Sequence, residues 1–170
     1  LMNRKHLIDD YIKIYENLKS INSNIEFSSD FIIAYPGEEE KDFNATFELI
    51  KKIKFINSFS FIFSPRPGTK AADLNLVDNA IAKNRLEKIQ KILFTHQKNT
   101  NKNLIKKNIN VLVENKIKSQ NKLFGRNKYL NSVIIDGKDE YIGKLVNVYI
   151  DSYNQNTLFG KITSLKCKAA

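Results

Sequence analysis

Past residue 108 the hydrophobic residues of this chain change period. Ile109, Val111 and Val113 alternate with Asn110, Leu112 and Glu114, and Val146, Val148 and Ile150 alternate with Asn147, Tyr149 and Asp151. Period two is the signature of strands with one buried face. Short apolar stretches at 123–124, 133–135 and 158–162 lie between turn signals such as Asp136-Gly137 and Tyr153-Asn154-Gln155-Asn156. Five short strands in about 60 residues predict a small closed all-β barrel of the OB-like kind.

The first half reads differently. Leu7, Tyr11, Ile14, Tyr15 and Leu18 share one face of an amphipathic helix. The apolar run Phe31-Ile32-Ile33-Ala34-Tyr35, closed by Pro36-Gly37, predicts a strand buried on both faces, as in a parallel sheet. Acidic Glu38, Glu39, Glu40 and Asp42 crowd the next helix start, where negative charge suits the helix dipole, and Phe43, Phe47 and Ile50 carry its buried face. Phe59–Phe63 predicts a second strand, ended by the rigid loop Ser64-Pro65-Arg66-Pro67-Gly68-Thr69. Asp78 is the expected N-cap of a long helix to about residue 98, with Ala82, Leu86, Ile89 and Leu93 inward. Helix, strand, helix, strand, helix indicates α/β architecture with parallel strands. The expected division is residues 1–98, a polar linker at 99–108, and the barrel at 109–168.

Charge follows the same division. Residues 1–97 hold 14 basic and 13 acidic side chains, whereas residues 98–170 hold 14 basic and 5 acidic. A coding bias toward Lys and Asn would act on both halves alike, so the net +9 of the second half points to a polyanion. No apolar run approaches the roughly 20 residues of a membrane span. The opening Leu1–His6 lacks the apolar stretch of a signal peptide and has the look of an internal segment, so a truncated cytoplasmic protein is expected. The single cysteine, Cys167, excludes an internal disulfide and a cysteine-rich metal site. His6 and His96 have no ligand partners at metal spacing, so no metal site is expected on this chain.

Five stretches together are similar to a known family. Met2-Asn3-Arg4-Lys5-His6, Ser29–Glu38 and Phe63–Ala72 resemble successive segments of the MiaB-type tRNA methylthiotransferases, which are radical S-adenosylmethionine enzymes. Gly125-Arg126-Asn127-Lys128-Tyr129 and Asn156-Thr157-Leu158-Phe159-Gly160 resemble that family's C-terminal TRAM domain. The resemblance implies the end of a partial TIM-like barrel followed by an RNA-binding barrel. The implied reaction adds a methylthio group to an isopentenylated adenosine beside the anticodon. The implied cofactors are S-adenosylmethionine and two 4Fe-4S clusters, whose cysteine thiolates belong to a part of the family preceding this stretch. Cys167 matches none of them, so the chain alone is expected to be inactive and to carry no catalytic residue. The expected partner is the anticodon stem-loop of a tRNA, bound by a monomer. Two alternatives stay open: a threonylcarbamoyl-adenosine methylthiotransferase, and a non-enzymatic TRAM-type RNA-binding protein.

The resemblance also implies site residues. Ile32, Ala34 and Glu38 fall on the strand-end motif that lines the adenine of the cofactor. The family usually has Gly where Ala34 stands and Thr where Glu39 stands. Ser64 and Arg66 fall on the neighbouring loop. Prolines on both sides restrict Arg66, which suits bidentate contact with a carboxylate or phosphate, or pairing with a nearby acid. The loop also favours tRNA over a ribosomal-protein substrate, because the related enzymes for the latter tend to be acidic there. In the barrel, Arg126, Lys128 and Tyr129 combine charge for phosphates with a ring for stacking, and Lys144 and Lys161 extend the patch. Phe159, between Leu158 and Gly160, is read as barrel core.

Overall fold

The first half folds in the order expected, in a computed structural model that describes residues 6–118 and 120–165. The segment Met2–Lys5, Cys167 and the expected barrel end at 166–168 lie outside the described residues. Helix α1 (Ile8–Ile21) precedes strand β1 (Asp30–Ile33), helix α2 (Glu40–Ile53), strand β2 (Phe59–Ile62) and helix α3 (Asn79–Lys102). β1 and β2 pair in parallel, Ile32 opposite Phe61 and Ile33 opposite Ile62. Helices α2 and α3 both start on a carboxylate cap. The Glu39 amide donates to Asp42 Oδ2, and Asp78 Oδ1 accepts from Ala80 and Ile81. Those carboxylates satisfy amides that no helical carbonyl can reach.

One core joins these elements: Phe31, Ile33, Phe43, Ile50, Phe55, Ala82, Ile89 and Leu93 are buried together. The strand expected to be buried on both faces is buried on one. Phe31 and Ile33 face the core, while Ile32 is 42% exposed beside Phe61 at 54% and Phe59 at 63%. The reason is geometric: among the described residues, helices pack on one side of this two-stranded sheet only. Helix α1 is likewise peripheral. Tyr11 and Tyr15 touch the core, but Leu7 and Ile14 point away from it.

The second half is a closed five-stranded barrel in the order β3-β4-β5-β7-β6. Its strands are β3 (Asn108–Lys116), β4 (Lys122–Asn127), β5 (Ser132–Asp136), β6 (Leu145–Tyr153) and β7 (Thr157–Leu165). Only β5 and β7 pair in parallel. Val111, Val113, Leu123, Val133, Ile135, Val146, Val148, Ile150 and Leu158 fill the interior. Two glycines let the strands close. A Cβ on Gly125 would strike the Leu112 carbonyl oxygen, and one on Gly160 the Tyr149 carbonyl oxygen. The barrel abuts the α/β half directly. Helix α3 runs to Lys102, four residues into the stretch expected as linker, and Lys106 and Lys107 bond to Ile150 of β6. Buried Asn101, on the last turn of α3, gives that extension a structural purpose.

Candidate nucleic-acid interface and cofactor wall

The expected site residues fall into two groups. The first lies at the carboxyl ends of β1 and β2, where α/β sheets characteristically bind ligands. The Phe63 amide donates to the Ile33 carbonyl at 2.8 Å, which sets the Ala34–Glu38 turn beside the Phe63–Thr69 loop. Tyr35 and Phe63 meet edge to face there, with centroids 5.0 Å apart. Ala34 adopts φ +60°, a left-handed conformation that costs a side-chain-bearing residue about 1–2 kcal/mol. A Gly at this point would be relaxed.

Glu38 holds this turn. Its Oε2 accepts from the Ala34 amide at 3.0 Å, and its Oε1 accepts from Arg85 Nη1 at 2.8 Å. Arg85, with a side chain only 7% exposed, also donates to the Glu38 carbonyl and to Glu40, and lies over the Phe43 ring. Both Glu38 oxygens and the Ala34 amide are therefore engaged within the protein. Arg85 escaped the sequence reading because it sits among the inward residues of α3, where only the fold brings it to Glu38. Ser64 and Arg66 are exposed, and no salt bridge holds Arg66 among the described residues. Ile32 lies on the open face of the sheet. The iron–sulfur clusters find no matching donors here: among the described residues no group of three or more His, Cys, Asp or Glu is placed to hold a metal ion.

The second group is spread over the barrel. Arg126 projects outward from β4, its Nη1 bonded to both Glu114 oxygens at 2.8 and 3.1 Å and its guanidinium over the Phe124 ring. Glu114 reaches it from a bulge in β3 between Val113 and Asn115. Lys161 is exposed on β7, opposite Asp136 and Tyr149. Lys144 is exposed just before β6, at the barrel end away from the α/β half. Lys128 and Tyr129 lie in the β4–β5 turn, with Lys128 Nζ 4.6 Å from the Tyr129 ring centroid. That turn faces the α/β half. The five residues therefore do not form one cluster.

The seam between the halves is a polar network. Tyr129 Oη donates to the Asn24 carbonyl, and Asn57 Nδ2 donates to the Tyr129 carbonyl. Asn131 Nδ2 and Gln97 Nε2 both donate to Asn101 Oδ1, and Asn57 N donates to Gln97 Oε1. Asn127 Oδ1 accepts from the amides of Tyr129 and Asn131, shaping the turn. The buried asparagines do not stand out in the sequence, because no local pattern marks a polar residue that pairs 30 positions away. Phe159 also departs from its expected place. Leu158 and Gly160 point into the barrel, so the alternation turns Phe159 outward, half-buried and outside the core. An open groove between α3 and the β6–β7 turn is lined by Lys91, Phe94, Lys98 and Tyr153. No helix among the described residues is long and apolar enough to cross a membrane.

Comparisons with known proteins agree with the barrel in the second half. The family model described as TRAM domain matches residues 103–163. The whole chain is 63% identical to the tRNA-2-methylthio-N(6)-dimethylallyladenosine synthase of Pelagibacter ubique (strain HTCC1062), covering 38% of that protein. Over 94% of its length it is 41% identical to the synthase of the same name from Wolbachia pipientis subsp. Culex pipiens (strain wPip), and over 99% it is 38% identical to that of Maricaulis maris (strain MCS10). It spans 37% of each of these two. By sequence the chain is thus similar, along its whole length, to a little over a third of each of these synthases, with a TRAM domain at residues 103–163.

Proposed function

We propose that this chain serves a tRNA methylthiotransferase as its RNA grip and as one wall of its cofactor site. The reaction is transfer of a methylthio group to isopentenylated adenosine beside the anticodon. S-adenosylmethionine and two 4Fe-4S clusters supply the radical and sulfur chemistry when bound by the complete enzyme. The observation that carries the reading is identity along the entire chain to synthases of that name, through both the α/β half and the barrel. That continuity favours an enzyme part over a free RNA-binding module. Ile32, Ala34, Ser64 and Arg66 line the cofactor side, with Arg66 free to meet a carboxylate or phosphate. Glu38 serves there by holding the Ala34 turn, since its own oxygens are engaged. The chain acts as a monomer in the cytoplasm.

On the RNA side, Arg126, Lys128, Lys144 and Lys161 neutralise phosphates. Tyr129 sits where RNA crossing the seam would meet its ring, although its hydroxyl is already bonded. The chain should bind an anticodon stem-loop with affinity that falls steeply with salt. If about four phosphates are neutralised, log K against log salt has a slope of roughly −3 to −4. Replacing Arg126 and Lys128 by Ala should make that slope shallower by about one for each phosphate left without its cation. A salt-independent affinity would refute the reading.

A further inference from the structure

The outer face of β4, β5 and β7 has an order that the strand register alone reveals. Lys122, Phe124 and Arg126 point outward from β4, Ser132, Ile134 and Asp136 from β5, and Thr157, Phe159 and Lys161 from β7. In the ladder Phe124 lies opposite Ile134, and Ile134 opposite Phe159. On one side of this apolar row runs Arg126, Ser132, Thr157, and on the other Lys122, Asp136, Lys161. Two half-buried phenylalanines thus lie between polar rows that carry three cations and one carboxylate.

We propose that this face is a stacking platform for unpaired RNA bases, one base on Phe124 and one on Phe159, with Ile134 between them and Lys122 and Lys161 on the phosphates. The proposal rests on the RNA-binding reading above and names the surface and the form of RNA. Neighbouring strands are about 4.8 Å apart, so rings two strands apart are too distant to stack on one another. Neither ring has an aromatic partner among the described residues. Arg126 lies over the Phe124 ring and is itself bonded to Glu114. An apolar row alone would suit many partners. The lysines flanking it, in the half of the chain with net charge +9, select a polyanion. A duplex hides its base faces inside the stack, whereas an unpaired strand offers both face and phosphate.

The test measures binding of the 170-residue chain to an unstructured pyrimidine RNA of about 12 nucleotides and to a duplex of similar charge, within the roughly 4–16 nucleotides that one such barrel covers. Phe124→Ala and Phe159→Ala should each weaken single-strand binding about 5- to 150-fold. They should leave the salt slope and the duplex affinity unchanged. Phe124→Leu and Phe159→Leu keep the apolar bulk without the ring and should show the same selective loss if the Ala variants unfold. The chain has no tryptophan, so Phe159→Trp adds a unique indole, excitable at wavelengths the tyrosines do not absorb, whose emission the bound single strand should quench. If the unaltered chain binds neither RNA, the RNA-binding reading fails and the platform with it. If it binds RNA and the variants bind the single strand as tightly, the platform alone is overturned and the row is cross-strand packing or a protein contact. Equal losses on duplex and single strand overturn it too.

Discussion

The Tyr129 hydroxyl of the barrel donates to the Asn24 carbonyl of the α/β half at 2.8 Å, across 105 residues of sequence. With the Asn101–Asn131 bond, it makes the orientation of the barrel a matter of specific polar geometry as well as of apolar packing. Asn101 is the central acceptor, buried and bonded by two amide side chains. Asn101→Leu should therefore cost about 1–3 kcal/mol, because the Asn131 and Gln97 amides lose their acceptor. Tyr129→Phe removes one exposed bond and should cost about 1 kcal/mol or less. Chemical denaturation of the three proteins checks the order. Equal losses would mean the two bonds matter alike.

Arg85 and Glu38 form the buried ion pair of the α/β half, with side chains 7% and 13% exposed. Breaking such a pair leaves a charge without its partner and typically costs about 3–5 kcal/mol. Arg85→Met should do so and should also release the Ala34 turn, since Glu38 bridges Arg85 to the Ala34 amide. Hydrogen exchange at Ala34 reads that second effect. Protection retained there in Arg85→Met would show that the turn stands without the pair.

Gly160 should tolerate no side chain. A Cβ would overlap the Tyr149 carbonyl oxygen and lie 2.8 Å from Val148 Cγ1. Backbone cannot yield as a flexible side chain does, so Gly160→Ala should cost about 1–3 kcal/mol, as overpacking does. Gly125→Ala meets the same obstacle at Leu112. By contrast, Gly37 has open space around it but φ +85°, so Gly37→Ala should suffer from backbone strain instead. Thermal unfolding midpoints, together with far-ultraviolet spectra, would show whether the barrel still closes.

His96 makes stability depend on pH. Burial, and then the nearby Lys54 charge, hold its imidazole below the ordinary value of 6.5, with a bond to the Phe55 backbone acting weakly the other way. The folded ring binds a proton less readily than the unfolded one. Its contribution is complete above the ordinary value and is lost as pH falls through 6.5 toward the lower folded value. Unfolding free energy should decline as pH falls below the ordinary value of 6.5, and His96→Gln should flatten that decline. A slope unchanged by the substitution would assign the effect to other groups.

Period-two alternation, the apolar runs and the Asp78 cap were enough to announce parallel α/β structure followed by a five-stranded barrel, because they are local consequences of backbone geometry. The five family-like stretches were equally legible, being contiguous residues. The tertiary structure alone decided where three kinds of residue went. Register turned Phe159 out of the barrel and set it in line with Phe124, which no single strand can specify. Chain crossing brought Arg85 to Glu38 across 47 residues, bracing the carboxylate that holds the Ala34 turn. Docking of the two halves buried Asn101 and Asn131, residues that no local pattern marks. Short-range pattern sets which elements form, while partners far apart in sequence are chosen by how those elements pack, and polar groups then take the partners that burial leaves them.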